Sequence, residues 1–259
     1  MPKFAANLSL MFTELDFLER FGAARANGFE AVEFLFPYAF DAKDIAERLA
    51  ATGLQLVLHN LPAGDWAAGE RGIACHPARI AEFRDGVELA LAYAGKLGVR
   101  QLHCLAGIAP PDVAPQVMHA TYIANLRHAG ARLAAHGMRL LIEPINTFDM
   151  PGYFLSGSAQ AASVIAQCGA DNVFMQYDLY HMQRMEGELA TTIRARLPLI
   201  KHVQLADVPG RHEPGTGEID FRQLFRLLDE LGYDGWVGCE YHPAGDTIAG
   251  LGWRTMLSA

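Results

Sequence analysis

The segment Arg139-Leu-Leu-Ile-Glu143 is a short apolar run that ends in a carboxylate. A similar pattern returns three more times towards the C-terminus, in Val173-Phe-Met-Gln-Tyr-Asp178, Lys201-His-Val-Gln204 and Trp236-Val-Gly-Cys-Glu240. Short apolar runs bounded by polar residues are typical of strands that are buried in a parallel sheet. We therefore predict four successive strands, each with a polar side chain at or near its C-terminal end.

Four earlier apolar segments extend this series towards the N-terminus. The eight predicted strands are Phe4–Asn7, Ala31–Phe34, Gln55–Leu58, Gln101–Leu105, Arg139–Ile142, Val173–Tyr177, His202–Leu205 and Trp236–Cys239. Amphipathic segments separate them, and one of these runs from a capping residue, Asp220, to a terminating Gly232. Strands that alternate with helices predict a parallel sheet, and eight such units in 259 residues have the size of a closed barrel.

The predicted fold is therefore α/β, a single (β/α)8 TIM barrel that spans residues 1–259 as one domain. An open doubly wound sheet shows the same alternation, but no GxGxxG or Walker-type loop follows any predicted strand. The Gly-, Ala- and Trp-rich segment 61–79 follows the third strand. On a barrel such a loop lies over the active-site mouth.

Composition excludes several kinds of partner. The formal net charge is −8, which argues against nucleic acid, whose binding usually requires a basic surface. No apolar run is long enough to span a membrane, and the N-terminus does not resemble an export signal. The four cysteines are widely spaced and form no CxxC pair. This spacing predicts buried free thiols, which are typical of a reducing compartment. We predict a cytoplasmic protein that acts on a small molecule.

The C-terminal strand ends predict a metal site. The polar residues at the ends of the last four strands are Glu143, Asp178, Gln204 and Glu240. Because barrel strands are parallel, we expect their side chains to converge at one mouth of the barrel. Three buried carboxylates repel one another strongly, and a divalent cation relieves that repulsion. Carboxylate and amide oxygens suit hard ions, so we predict Mg²⁺ or Mn²⁺ rather than zinc.

Other polar residues are placed to contact a substrate at this mouth. His181 lies one helical turn after Asp178, and Arg211 lies in the loop after the seventh strand. Arginine binds carboxylates with a planar pair of donors. His59 and Asn7, at the ends of strands three and one, are also predicted to point towards the mouth. His103 and His202 are interpreted as core or supporting residues.

A metal and two glutamates favour a particular chemistry. Chelation of two neighbouring oxygens of an α-hydroxycarbonyl compound acidifies the adjoining C–H and stabilises an enediolate. One carboxylate can remove the proton and another can return it, and Glu143 and Glu240 are the natural pair. Isomerisation or epimerisation fits these residues, and so does metal-assisted hydrolysis or dehydration.

The motifs resemble the xylose isomerase-like TIM-barrel superfamily and, within it, the hydroxypyruvate isomerase family. The matching segments are Glu-Pro-Ile-Asn (143–146), Gln-Tyr-Asp-Leu-Tyr-His (176–181), His-Val-Gln-Leu-Ala-Asp (202–207), Gly-Cys-Glu-Tyr (238–241) and the long stretch 58–75. The resemblance covers essentially the whole chain. It implies reversible conversion of hydroxypyruvate into tartronate semialdehyde, with Glu143 and Glu240 as the proton-transfer pair. It implies metal ligation by Glu143, Asp178, Gln204 and Glu240, and dimers or tetramers.

Several relatives of this family remain as alternatives. Ketose 3-epimerases carry a histidine at the position of Gln204, and they carry a glutamate near the position of Asp149. These two differences weaken the interpretation of this chain as an epimerase. An isomerase of four-carbon 2-oxo acids would have nearly the same site. An endonuclease of this barrel would need more histidine ligands and a basic surface. A non-catalytic binding module would be expected to lack a metal ligand, and all four are present.

Overall fold

The computed structural model describes residues 2–258 and contains a closed barrel of parallel strands in sequential order. The strands are β1 Lys3–Asn7, β2 Ala31–Glu33, β3 Gln55–Asn60, β4 Gln101–Cys104, β5 Arg139–Ile142, β6 Val173–Asp178, β7 Ile200–Leu205 and β8 Trp236–Cys239. The prediction of a TIM barrel is confirmed. Every predicted strand overlaps an observed one, and no strand end moves by more than two residues.

Helices surround the barrel on its outer side. They are α1 Phe17–Ala26, α2 Ala42–Thr52, α3 Ile80–Leu97, α4 Pro115–Ala134, α5 Ser158–Cys168, α6 Leu179–Met185, α7 Leu189–Arg196, α8 Phe221–Glu230 and α9 Trp253–Ser258. Short 3₁₀ turns occupy Pro77–Arg79, Leu197–Leu199 and Ala249–Gly252. Within residues 2–258, none of these helices is long and apolar enough to cross a membrane.

Helix α8 illustrates why these segments are helical. The side chain of Asp220 accepts a hydrogen bond from the backbone N–H of Gln223, which satisfies one free donor of the first turn. Five apolar residues of the helix are buried: Phe221, Leu224, Phe225, Leu227 and Leu228. The chain leaves the helix through Gly232, whose φ of 71° is the left-handed conformation that glycine adopts without strain.

The barrel interior has an apolar part and a polar part. A cluster of small and aliphatic side chains, which includes Ala5, Ala31, Val57 and Leu141, fills part of it. Two residues further along β1 and β2, Asn7 and Glu33 are also buried, and the two residues pair in register. Because side chains alternate between the two faces of a strand, residues two apart point the same way. The polar side chains therefore form the next layer, towards the C-terminal ends.

Candidate active site at the barrel mouth

A cavity of about 360 Å³ opens among the C-terminal ends of the strands. Its lining residues are Ser9, Leu10, Leu35, Asn60, Trp66, His103, Leu105, Glu143, Ile145, Met150, His181, Arg211, Glu240 and His242. Four of the predicted site residues therefore line it. Asp178 and Gln204 are buried and do not line the cavity. Each contacts a residue that does: Asp178 lies next to His181, and Gln204 contacts Glu240.

Strand β6 presents Asp178 through its junction with α6. One carboxylate oxygen of Asp178, Oδ1, accepts a 2.7 Å hydrogen bond from the backbone N–H of Tyr180 and so caps that helix. The other oxygen, Oδ2, is buried and has no hydrogen-bond partner among residues 2–258. It lies 3.6 Å from Nε2 of His181 and 3.8 Å from a terminal nitrogen of Arg211.

Glu143 continues β5 into the same cluster. Its Oε2 lies 3.4 Å from Nε2 of His103, and its Oε1 lies 3.9 Å from Nε2 of His181. Oε1 also lacks a hydrogen-bond partner in the described part of the chain. Possible ligand atoms of Glu143, Asp178 and His181 all lie within 4.8 Å of one another. Buried carboxylate oxygens without partners suit a divalent cation, which this cluster could hold.

Glu240 follows β8, and both of its carboxylate oxygens accept hydrogen bonds, unlike Oε1 of Glu143. A terminal nitrogen of Arg211 donates to Oε1 of Glu240 at 2.8 Å. Nδ2 of Asn7 donates to Oε2 at 3.2 Å, and Nε2 of Gln204 donates to the same oxygen. Gln204 thus presents its nitrogen to Glu240, while its Oε1 accepts from Gln176 at 2.6 Å. A role for Gln204 as a metal ligand requires its terminal amide to rotate by half a turn.

Burial raises the pKa of Glu143 well above its usual range, and the carboxylates of Glu240 and Asp178 raise it further. Burial likewise raises the pKa of Glu240 to about 8 and that of Asp178 to about 6, although Arg211 opposes both shifts. Burial lowers the pKa of His181, and the charge of Arg211 adds to that shift. One guanidinium therefore does not compensate three buried carboxylates, and a cation would favour their ionised forms.

Glu33 belongs to this network, although sequence reasoning did not identify it as a site residue. Its buried carboxylate accepts hydrogen bonds from Gln204 at 2.7 Å and Asn7 at 3.0 Å, and Nε2 of His202 lies 2.7 Å away. Asn7 and Gln204 are the same two side chains that donate to Glu240. The signal in the sequence is Ala31-Val-Glu33, an apolar strand that ends in an acid like the later ones.

Two histidines occupy positions that differ from the expectation. His59 is buried, but it is not among the cavity-lining residues; its ring stacks on Phe34 and meets the edge of Tyr38. The next residue, Asn60, lines the cavity instead, because adjacent strand residues face opposite sides. His103 lines the cavity as well, beside Glu143, where the sequence had suggested only a core or supporting position.

The loop after β7 brings Arg211 over the acids. The carboxylate of Asp207 accepts hydrogen bonds from four backbone N–H groups of this loop, those of Val208, Gly215, Gly217 and Ile219, at 2.8–3.1 Å. Arg211 has a φ of 55°, an uncommon conformation for a residue with a side chain. The tightly bonded loop therefore holds Arg211 in a backbone conformation that directs its guanidinium to Glu240 and Asp178.

The segment 61–79 reaches the mouth as predicted, through Trp66. The indole lines the cavity and packs against Phe36, with ring centroids 5.0 Å apart. The guanidinium of Arg71 lies 4.0 Å from the centre of the indole ring. Arg71 also donates to the backbone oxygens of Trp66 and Glu70, so it fixes the loop that carries the indole.

Comparison with known proteins identifies close relatives of this chain. A family model described as xylose isomerase-like TIM barrel matches residues 21–255. The chain is 52% identical over 253 residues to the hydroxypyruvate isomerase of Escherichia coli K12, covering 98% of each chain. It is 50% identical over 253 residues to the 2-oxo-tetronate isomerase of Cupriavidus necator, covering 98% of this chain and 97% of that one. A crystal structure of an AP endonuclease of family 2 from Brucella melitensis superposes with a TM-score of 0.97 at 49% identity, and the match covers 99% of each chain.

Proposed function

This chain belongs to the xylose isomerase-like TIM-barrel family, and we propose that it is an isomerase that interconverts hydroxypyruvate and tartronate semialdehyde (2-hydroxy-3-oxopropanoate). The observation that carries the proposal is the pair of buried glutamates, Glu143 after β5 and Glu240 after β8, that line one cavity. The identity to curated isomerases over nearly the full length supports the same reaction class.

The two glutamates supply the proton transfer. One carboxylate removes a proton from the hydroxymethyl carbon of hydroxypyruvate, and the other returns a proton to the neighbouring carbonyl carbon. The hydroxyl proton of the first carbon moves to the oxygen of the second, so an aldehyde and a new hydroxyl form with no net gain or loss of protons. The intervening enediolate carries negative charge on its oxygens, so nearby N–H donors stabilise it. Burial raises the pKa of both glutamates in the chain alone, whereas a bound cation would favour their ionised forms, and the ionised carboxylate is the form that can accept a C–H proton.

We propose that Glu143, Asp178, Gln204 and Glu240 hold Mg²⁺ or Mn²⁺. The unpartnered oxygens Oε1 of Glu143 and Oδ2 of Asp178 fit a hard cation. Such a cation would polarise neighbouring carbonyl and hydroxyl oxygens of the substrate and acidify the C–H between them. Gln204 would take part only with its amide rotated, which would replace the hydrogen bonds that its nitrogen donates to Glu33 and Glu240.

Arg211 is the residue proposed to bind the substrate's carboxylate. Its guanidinium lines the cavity, and its Nε is buried without a hydrogen-bond partner among the described residues. A carboxylate could accept from this free donor, which would satisfy it. The Michaelis constant for hydroxypyruvate is expected to rise in Arg211→Ala; an unchanged constant would remove the assignment.

The proposal is tested with hydroxypyruvate in D₂O, with Mg²⁺ or Mn²⁺ present. The expected result is formation of tartronate semialdehyde together with deuterium exchange at the hydroxymethyl carbon. Glu143→Gln is the matched control, because it keeps the shape of the side chain and removes the base. Absence of both product and exchange in the unaltered protein contradicts the isomerase proposal.

A four-carbon 2-oxo acid is the second candidate substrate. The identity to the 2-oxo-tetronate isomerase is nearly as high as that to the hydroxypyruvate isomerase, and the cavity of about 360 Å³ can accommodate a further carbon. The ratio of kcat/KM for 2-oxo-tetronate and hydroxypyruvate, measured with the same preparation, distinguishes the two. A ratio above one favours the four-carbon acid.

Three further expectations concern partners and location. The net charge of −8 argues against DNA as a substrate despite the similarity to a protein named AP endonuclease, and a gel-shift with abasic DNA tests this. A cytoplasmic location is supported by four buried free cysteines. Assembly as a homodimer or homotetramer is proposed from the family resemblance, and the mass in solution measured by light scattering tests it.

A further inference from the structure

Asn146 has a side-chain amide whose orientation is fixed by its own backbone. Its Oδ1 accepts hydrogen bonds from the backbone N–H groups of Phe148 at 3.1 Å and Asp149 at 2.9 Å. An oxygen accepts and an NH₂ group only donates, so the oxygen must face these two donors. The Nδ2 end therefore faces the opposite way, towards the carboxylate of Asp149 at 3.0 Å and Nδ1 of His181 at 2.6 Å.

This orientation decides which nitrogen of His181 carries the proton. Because Nδ2 of Asn146 can only donate, Nδ1 of His181 must accept and has no proton of its own. The proton of the neutral ring is then on Nε2. That nitrogen lies 3.6 Å from Oδ2 of Asp178 and 3.9 Å from Oε1 of Glu143, beside the cavity that His181 lines.

We propose that Asn146 is a positioning residue that holds His181 as its Nε2–H tautomer, so that His181 donates a hydrogen bond to a substrate oxygen and does not ligate the cation. A protonated Nε2 has no lone pair for a metal, although His181 lies close to two possible ligands. The substrate part of this inference rests on the proposed function. In that reaction an N–H donor stabilises the charge that develops on an enediolate oxygen.

The surroundings of Asn146 oppose the reverse orientation. Asp149 is held by the hydroxyl of Tyr180 and by Arg184, each at 2.7 Å, so its carboxylate stays where Nδ2 of Asn146 can donate to it. A flipped amide would place Oδ1 against that carboxylate and NH₂ against two backbone N–H groups. Three hydrogen bonds would be lost in a fully buried position, which is costly.

The tautomer is measured directly by ¹⁵N nuclear magnetic resonance of the histidine rings in the Mg²⁺-loaded protein. The signals of His181 are assigned by their disappearance in His181→Gln. The expected pattern is a protonated Nε2 and an unprotonated Nδ1. In Asn146→Asp a carboxylate faces Nδ1, so the proton is expected to move to Nδ1. Asn27→Asp, the same change at a half-buried asparagine far from the cavity, is expected to leave the His181 signals unchanged.

Metal binding gives a second readout that is independent of catalysis. The dissociation constant for Mn²⁺ is expected to rise in His181→Gln by at most the roughly 10–100-fold of a change beside a ligand, and by clearly less than in Asp178→Asn, which removes a proposed ligand. Turnover in Asn146→Asp is expected to fall by about tenfold or more with a smaller change in KM, because the lost donor acts on the developing charge. Melting curves check that the variant is folded.

These outcomes separate the two proposals. An Nδ1–H tautomer in the unaltered protein, or a weakening of Mn²⁺ binding in His181→Gln as large as in Asp178→Asn, would overturn the inference. The expected tautomer and retained Mn²⁺ binding without any turnover of hydroxypyruvate would instead overturn the proposed function, while the assignment of the His181 proton would hold.

Discussion

The two sides of the barrel mouth differ in how their polar atoms are satisfied. On the paired side, Asn7, Glu33, Gln204 and Glu240 form a closed set of hydrogen bonds across β1, β2, β7 and β8. On the unpaired side, across β5 and β6, Oε1 of Glu143, Oδ2 of Asp178 and Oε1 of Gln176 are buried without partners among residues 2–258.

This difference separates polar atoms that the chain itself satisfies from polar atoms that it leaves for a ligand. Buried polar atoms are normally hydrogen-bonded, so acceptors that the chain leaves unsatisfied suit a cation or a hydrogen-bond donor of a substrate. On the paired side, the carboxylate of Glu33 already accepts hydrogen bonds from two amide groups and requires no ligand. The same two amide groups also donate to Glu240 and so fix the direction of its carboxylate. Substitutions on the two sides should therefore have different effects on turnover, metal binding and stability.

The largest effect is expected from the proton-transfer pair. Glu143→Gln and Glu240→Gln should each lower kcat by roughly 10²–10⁴-fold, the usual contribution of a general acid or base. Both amides keep the shape of the side chain. Glu143→Gln removes a buried carboxylate that has an unpartnered oxygen, so stability without metal should not fall. Glu240→Gln instead presents an NH₂ group to the donors of Arg211, Asn7 and Gln204, which should cost about 1–3 kcal/mol. Steady-state kinetics and urea unfolding measure the two effects.

The control for this pair is Glu230→Gln on the exposed surface of α8, where kcat should not change. Near-normal turnover in both site variants would contradict the proposed mechanism. That result would not decide the proposed metal site, because Mn²⁺ binding tests it separately.

Removal of the metal should act on the unpaired side. A cation that binds only the folded chain stabilises it by about 2.7 kcal/mol at a concentration one hundred times its dissociation constant. For a chain of this size that free energy corresponds to a rise of roughly 5–10 °C in Tm. Thermal melts with Mg²⁺ or with chelator test this, and Asp178→Asn should abolish most of the rise. An equal rise in Asp178→Asn would place the cation elsewhere.

The sequence predicted the barrel and the convergence of the four C-terminal polar residues because both follow from local patterns. Each strand is a short apolar run, and one βα unit separates neighbouring strand ends. The partners of those residues do not follow from local patterns. Glu33 and Gln204 meet across 171 positions of sequence, and their contact depends on the stagger of the closed barrel.

The interpretation of His59 shows a related limit. A displacement of one residue along a strand reverses the face of every side chain, and β2 and β3 contain an irregularity in register next to Glu33. His59 therefore packs outside the barrel wall against Phe34, while Asn60 faces the cavity. The sequence located the end of the strand correctly to within two residues, which was not enough to decide between these neighbours.

On the paired side, Glu33→Gln should have a moderate effect on both stability and turnover. The substituted amide would present an NH₂ group to donors, so one or more hydrogen bonds would be lost at a cost of about 1–3 kcal/mol. Turnover should fall as Asn7 and Gln204 lose the anchor that directs them to Glu240. Urea unfolding and kcat measure this, with Glu30→Gln, an exposed neighbour, expected to stay within about 0.5 kcal/mol. An unchanged kcat in Glu33→Gln would show that Glu240 is oriented without it.

The smallest change of side chain, one added methyl group, also tests the paired side. A Cβ at Gly238 would lie 2.3 Å from Oε2 of Glu33, so Gly238→Ala must displace a buried, hydrogen-bonded carboxylate. Overpacking of this kind costs about 1–3 kcal/mol. Gly95, exposed in the last turn of α3, has open space around its Cβ position, and there the same substitution should stabilise the protein by about 0.5 kcal/mol.

Opposite signs are thus expected from the same chemical change at two glycines. Because Gly238 does not line the cavity, a loss of turnover in Gly238→Ala must act through Glu33 and its partners. The two effects should therefore not add: Glu33→Gln combined with Gly238→Ala should lose no more turnover than the more damaging single variant, since both disrupt the same anchor. Losses of turnover that multiply in the double variant would mean that Gly238 and Glu33 support the site independently, and the paired side would then not act as one unit.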